Sequence, residues 1–504
     1  MIDLEELSKQ INKIVNNRAD EEAILNILHA KLCNLFNFKG VTFNSTNNLK
    51  IAYPMSYFAF NFVPSGGCKD LLLTEIDRNL LGFFDKELED FNNARFSALQ
   101  KEHRTKESEA FADATKLKKV QQENKQEERM FYEFINDITS STQSNMYDMF
   151  AIIDEYKKGS VLLTNTEFAN YYEDVAYRKD LNKKEFIDMF YKLFDGIYTP
   201  SSSTSTRRKK LKDLPITSIF MSDYKLLLRD ATICKKFKEW FEQGMARRSF
   251  VYFRRDSKHI SAKTIVPASE KEKAYKILEG YALEINNLYF HMPEHKHFSF
   301  SEEANNLIDQ FTIACGEKSD EFFKFTDNLD LDNGILNVNI VNAPWKVIKL
   351  AVLYQILDDY ESKCVTSKNV QKAIDYFWKM HTCLHELINV NITTDTEKLY
   401  SYLILNVNKW VNKTQLNEQK FVDKNIFSKW YENDAIPMLS EIAIKKNLGL
   451  VERTTGKTNR GREICLFNPE LYKFVETFRD DEKKILKGEL QKVNIEINYT
   501  DSLD

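Results

Sequence analysis

Glycine and proline are scarce in this 504-residue chain, 14 and 9 in all, which excludes collagen-like or low-complexity structure and long stretches of coil. The seven cysteines (Cys33, Cys68, Cys234, Cys315, Cys364, Cys383 and Cys465) include no C-x-x-C pair, which argues against a disulfide framework or a thiolate zinc site. No apolar run approaches the roughly 20 residues needed to cross a bilayer. The amino terminus, Met-Ile-Asp-Leu-Glu-Glu, is acidic and lacks the apolar core of a signal peptide. These absences predict a cytoplasmic protein with reduced thiols and no membrane partner. An excess of positive charge is also missing: 71 Lys and Arg against 75 Asp and Glu leave a net charge of −4. Any contact with nucleic acid must therefore come from local basic patches.

What is abundant is aromatic: 36 Phe and 23 Tyr predict large cores in a mostly helical chain of about two to four domains. Apolar positions at helical spacing open the chain (Ile2, Leu4, Leu7, Ile11, Ile14) and continue through Ile24, Leu28 and Leu32. A short strand is predicted at 41–43, and a buried one over 55–63, MSYFAFNFV. Residues 84–135 are charged and free of Gly and Pro, an exposed helix or helical hairpin suited to subunit or domain contact. Three further strands are predicted at 161–164, 216–221 and 250–253, with helical segments between them. That alternation makes an α/β fold with a largely parallel sheet. The division predicted is an N-terminal helical region (1–50), a core (51–264) carrying the arm 84–135, a helical subdomain (265–390), a small separate module (391–476) and a charged tail (477–504).

The first strand runs into Pro64-Ser65-Gly66-Gly67-Cys68-Lys69-Asp70, and helical character resumes at Leu71. Strand, glycine turn and helix is the order of a Walker A phosphate-binding loop, in which backbone N–H groups wrap phosphate oxygens and a lysine reaches the terminal phosphates. Lys69 stands in the lysine position. Cys68 replaces a glycine, and Asp70 replaces the Ser or Thr whose hydroxyl binds Mg²⁺; a carboxylate also ligates Mg²⁺. The plain alternative is a structural glycine turn. Later strands supply candidate partners. Val161-Leu-Leu-Thr-Asn-Thr-Glu167 ends an apolar strand in an acid able to orient water. Ile152-Ile-Asp-Glu155 competes for that role, but Met146, Met149, Phe150 and Ile153 fall at helical spacing, so Asp154 and Glu155 belong on a helix surface. Ile216–Met221 leads to Ser222, a candidate γ-phosphate sensor. Arg247 and Arg248 precede the last strand, a pair of candidates for an arginine finger acting across a subunit interface.

Taken in order, PSGGCKD, VLLTNTEF, PITSIFMSD and GMARRSFVYF resemble a family of phage and plasmid P-loop proteins, known mainly as a helicase-like domain of unknown function and found beside primase modules. A later family helix resembles Ala343-Pro-Trp-Lys346 and the apolar run after it. The resemblance covers roughly residues 50–385. It implies a RecA-type core with Arg248 as the arginine finger, ATP and Mg²⁺ as cofactors, a homo-oligomeric ring, DNA (single-stranded or forked) as substrate, and a primase or polymerase as partner.

Residues 395–410, 426–447 and VERTTGKTNRGREICLF resemble a winged helix, with a hairpin predicted from 450–453 and 463–467. Lys445, Lys446, Arg453, Lys457, Arg460 and Arg462 cluster on its last helix and wing, as contacts to DNA phosphates would require. A second basic stretch, Arg207, Arg208, Lys209 and Lys210, follows a Ser/Thr block and lacks aromatic residues for base stacking. His291, His295 and His297, and His381 with His385, lack the further ligands a zinc site needs. The leading expectation is therefore an ATP-dependent DNA helicase or translocase of phage or mobile-element replication. Its alternatives are a non-catalytic DNA-binding replication or regulatory factor with a degenerate loop, and a protein-binding scaffold.

Overall fold

The computed structural model describes residues 2–45, 48–64, 68–138, 143–176, 194, 214–224, 226, 231–254, 265–323 and 331–388. Beyond these it describes 399–400, 402–404, 406, 409–418, 431, 436, 439, 448–455 and 461–467. The chain divides into two units, Met1–Val390 and Asn391–Asp504.

In the first unit, α1 (Leu4–Ile14) and α2 (Glu21–Phe38) precede β1 (Thr42–Ser45), β2 (Asn48–Pro54) and β3 (Tyr57–Phe62). Then follow α3 (Lys69–Leu80), α4 (Phe83–Ala110), α5 (Ala114–Arg129), β4 (Asp137–Ile138), α6 (Gln143–Tyr156), β5 (Val161–Asn165) and α7 (Phe168–Ala176). After these come β6 (Ile216–Ser222), α8 (Ala231–Trp240), a π-helical turn Phe241–Met245 and β7 (Ser249–Phe253). The central sheet has five strands in the order β4-β5-β6-β3-β7, every neighbouring pair parallel. This mixed α/β architecture is compatible with a Rossmann- or RecA-like core.

Parallel sheets are covered on both faces, and the sequence of β3 shows why it lies at the centre. Phe58, Phe60 and Phe62 share one face; Phe60 meets Phe168 of α7 at 5.5 Å, Trp240 of α8 at 6.0 Å and Phe241 at 5.2 Å. On the other face Tyr57 stacks on Phe250 of β7 at 4.7 Å, beneath α2. Helix α2 is buried continuously from Ala23 to Phe38, so its polar side chains need internal partners. Asn26 donates to Asn61 Oδ1 (3.1 Å) and accepts from the Tyr57 hydroxyl (2.8 Å). Asn37 exchanges two hydrogen bonds with the backbone of Met55. Lys31 reaches Asp77 on α3 (2.8 Å) and Asp137 on β4 (3.4 Å).

Helices α4 and α5 form the exposed hairpin expected over 84–135. Asp113 caps α5 at the turn, and His103 lies between Glu127 (2.9 Å) and Glu128 (3.4 Å). Helix α6 buries Met146, Met149, Phe150 and Ile153 and leaves Glu155 exposed, so Asp154 and Glu155 do sit on a helix.

The remainder of the unit is α9 (Ala268–His291), β8 (His297–Phe300), α10 (Glu302–Phe322), α11 (Leu331–Val341), α12 (Ala343–Asp359), β9 (Cys364–Val365) and α13 (Ser367–Ile388). Strands β2-β1-β8-β9 make a second sheet that the sequence patterns did not foretell beyond β1. In α12, Lys346 and Lys349 are buried, and their ammonium groups bond to carbonyls: Lys346 to Ala246 (3.2 Å) and Ser249 (3.1 Å), Lys349 to Phe194 (2.9 Å). No single helix among the described residues is long and apolar enough to cross a membrane.

The second unit has β10 (Val411–Asn412), α14 (Lys413–Glu418), β11 (Gly449–Thr455) and β12 (Gly461–Phe467), with the strand order β10-β12-β11. Leu399, Leu403, Val411, Leu416, Tyr431, Leu439, Ile464 and Leu466 form its core. The expected hairpin is present as β11 and β12. Most of the helical stretch expected over 426–447 lies outside the described residues.

Candidate functional site

The parallel register brings the carboxyl ends of the central strands to one edge. Phe62 of β3 pairs with Ser222 of β6 and with Phe253 of β7, while Asn165 of β5 pairs with Phe220. Glu167, two residues beyond Asn165, is thus level with Ser222. Chain direction also changes around β3. From β3 the chain goes to the far edge at β4, returns through β5 and β6, then passes β3 to reach β7. Open α/β sheets bind ligands outside the carboxyl ends of strands, where the order reverses in this way.

At that edge Pro64 is buried, residues 65–67 lie outside the described set, and Cys68 begins α3. Cys68 has φ 48° and ψ 35°, the left-handed conformation that glycine adopts freely and other residues adopt at a cost. The sequence departs from the Walker pattern here, yet the backbone keeps the conformation for which glycine is suited. The Cys68 side chain makes no cap on the first-turn N–H groups of α3, the groups that at a helix N-terminus can face an anion. Burial pushes the Cys68 thiol up, and the nearby guanidiniums of Arg18 and Arg254 oppose the shift.

Lys69, the first residue of α3, places its ammonium 3.2 Å from Glu167 Oε1. Lys69 is largely buried and Glu167 is exposed, so the lysine is held while the acid has room to move. The Glu167 turn is shaped by Asn165, whose Oδ1 accepts from the Glu167 N–H at 2.9 Å. Ser222 joins the two sides: its carbonyl accepts from Val63 N–H (2.9 Å) and its hydroxyl oxygen accepts from Ala169 N–H (3.0 Å). It is 1% exposed, so Ser222 here acts as a tie between the β3 and β5 exits rather than presenting a hydroxyl to solvent. Asp70 is exposed on the first turn of α3, where a negative charge favours the helix dipole. Among the described residues no group of three His, Cys, Asp or Glu could hold a metal ion by itself.

Three expected site residues, Lys69, Glu167 and Ser222, are therefore brought together, with Pro64, Cys68 and Asp70 beside them. Arg248 is not. It precedes β7, which puts it at the amino-terminal edge of the sheet, opposite the loop. Arg248 is 4% exposed and its guanidinium donates to the Gly244 carbonyl at 3.1 Å, so in this conformation it is not presented to a neighbouring subunit.

Of the expected DNA contacts, Arg207, Arg208, Lys209, Lys210, Lys445, Lys446, Lys457 and Arg460 lie outside the described residues, as do Ser65, Gly66 and Gly67 of the loop. Arg453 and Arg462 lie on β11 and β12, in register with Glu463 and Thr454 respectively.

Sequence reasoning missed a group at the same edge. Arg254 extends β7, its N–H donating to the Phe62 carbonyl at 3.0 Å, and its guanidinium meets Asp20 at 2.6 Å. The Tyr252 hydroxyl donates to the same Asp20 carboxylate, and Arg254 also donates to the Arg18 carbonyl at 3.4 Å. The available signal was positional: a basic pair, Arg254-Arg255, directly follows a strand parallel to the loop-bearing one. Compared with known proteins, the chain matches no family model and no curated protein.

Proposed function

We propose that this chain binds ATP at the carboxyl edge of its central sheet and works as a ring-forming, helicase-like DNA translocase in phage or mobile-element replication. The observation that carries the nucleotide reading is the Lys69–Glu167 pair at a helix N-terminus that the Cys68 side chain does not cap. A lysine from the loop after one strand and an acid after another meet where open α/β sheets bind ligands. The fit to a nucleotide's phosphates is chemical as well as positional: first-turn N–H groups of α3, the Lys69 ammonium against Glu167, and two guanidiniums near Cys68.

In this reading Lys69 gives up the Glu167 carboxylate for the β- and γ-phosphate oxygens. Glu167 is thereby released to orient and polarise the attacking water. Asp70 would hold Mg²⁺ as a carboxylate ligand, and the ion would supply charge neutralisation at the phosphates. Ser222 keeps the Glu167 turn in place through Ala169. The helicase, DNA and ring elements of the proposal rest on the ordered sequence motifs and on the basic residues of the second unit.

A second reading, a DNA-binding replication factor that binds nucleotide without turning it over, is favoured by one observation: Arg248 is turned inward and bonded to Gly244. One experiment separates the two. Mg²⁺-dependent ATP turnover is measured with and without single-stranded DNA, alongside particle size in the same buffers. DNA-stimulated turnover lost in Lys69→Ala supports the translocase. Binding without turnover supports the second reading, and no interaction with ATP defeats both.

A further inference from the structure

The loop between α1 and α2 reaches the same sheet edge although it is distant in sequence. Asn16 (φ 60°) and Asn17 (φ 53°) are consecutive left-handed residues, a conformation asparagine tolerates better than most side chains. Asn16 is tied down by its side chain, whose Oδ1 accepts from Val266 N–H at 3.3 Å. The turn they make delivers Arg18 and Asp20. Asp20 then receives Arg254 Nη1 at 2.6 Å and the Tyr252 hydroxyl, in a largely buried pair with side chains 14% and 15% exposed. Of the Arg254 guanidinium, Nη1 is the nitrogen that meets the Asp20 carboxylate. Arg254 Nε is buried and has no hydrogen-bond acceptor among the described residues. A buried donor without an acceptor is costly and is relieved by an anion that can take a planar fork.

We propose that Arg254 and Arg18 form a second cationic wall of the site, which takes a phosphate group of the nucleotide, and that Asp20 is the internal anion this phosphate displaces. The inference rests on the nucleotide reading above and adds to it the residues that grip the polyphosphate from the β7 side. Arg254 is suited to this because its backbone is bonded to the last residue of β3, so its position is set by the same strand that launches the loop. Asp20 stands at the N-cap position of α2 but makes no side-chain cap there, and its carboxylate instead receives Arg254 and Tyr252.

The test is ATP affinity in full-length Asp20→Asn and Arg254→Gln chains, with melting temperature measured in parallel. An internal competitor predicts opposite signs: Asp20→Asn binds ATP several-fold more tightly, and Arg254→Gln binds at least about tenfold more weakly. A merely structural ion pair would lower the melting temperature in both and leave affinity unchanged or weaker in both, which overturns the inference. If Arg254→Gln does not fold, Arg254→Lys is read instead, keeping charge but losing the planar fork, with weaker binding again expected. Failure of the nucleotide reading shows differently: the wild-type chain and Lys69→Ala are then alike in binding no ATP.

Discussion

Lys69 Nζ lies 3.2 Å from Glu167 Oε1, a contact between residues 98 positions apart that spans the exits of β3 and β5. In the proposed nucleotide reading the acid holds the ammonium of Lys69 where phosphate would be received. The roles differ, so the two substitutions separate. Glu167→Gln is expected to keep ATP binding, because removing a competing carboxylate does not weaken the lysine's hold on phosphate. It is expected to lose about 100-fold or more of any turnover, the scale of a lost general base. Single-turnover kinetics beside an equilibrium titration checks this, and equal loss of binding and turnover would count against the assignment.

Cys68 holds a left-handed conformation that costs a non-glycine residue about 1 kcal/mol or more. Cys68→Gly is expected to raise stability by up to about 1 kcal/mol, part of the gain being offset by the greater freedom of glycine in the unfolded chain. ATP binding should be kept or improved. Denaturant melts and a binding titration measure both, and a destabilised Cys68→Gly chain contradicts the strain argument.

Ser222 contributes through its tie to Ala169. Ser222→Ala leaves a buried backbone N–H without its partner, at a cost of about 1–3 kcal/mol. It should slow turnover more than it weakens ATP binding, since the acid-bearing turn loosens while Lys69 stays. If Ser222→Thr restores both stability and rate while Ser222→Ala does not, the hydroxyl acts as described.

Lys346, fully buried between the rings of Phe250 and Phe377, has its pKa lowered by burial to about 7. The folded protein releases this proton near pH 7, whereas the unfolded chain keeps it to about 10.5. Protonation therefore opposes folding at and below pH 7, and the opposition fades as pH rises toward 10.5. Lys346→Met is expected to remove that dependence. The stability difference between wild type and variant should change by a few kcal/mol, ~5 at most, across this window. Urea melts at pH 7, 8.5 and 10 measure it, and a difference independent of pH contradicts the assignment.

Much of the core was legible because its signals are local. The run SYFAFNFV has no helical period, and β5, β6 and β7 fall where short apolar runs end in small or polar residues. The exposed arm was legible from unbroken charge, and Asp154 and Glu155 from the helical spacing of Met146, Met149, Phe150 and Ile153. What was missed depends on register. The closeness of Arg254 and Arg18 to Cys68, and of Asp20 to Arg254, follows from parallel pairing of β3 with β7 and from a two-asparagine turn, neither of which leaves a periodic trace. Strands β8 and β9 are four and two residues long, too short to announce themselves. Arg248 shows the converse: its motif was readable, but its burial against Gly244 arises from the π-helical turn before β7.

The central claim is that Lys69 belongs to a nucleotide site. Its most direct test is equilibrium titration of ATP with Mg²⁺ into the wild-type chain and into Lys69→Ala, with folding of both confirmed by thermal melts. The account predicts saturable binding by the wild type and a loss of about 10- to 100-fold in Lys69→Ala, the scale of a charged hydrogen bond to phosphate. Equal affinity in the two folded proteins, or no binding by the wild type, would contradict it.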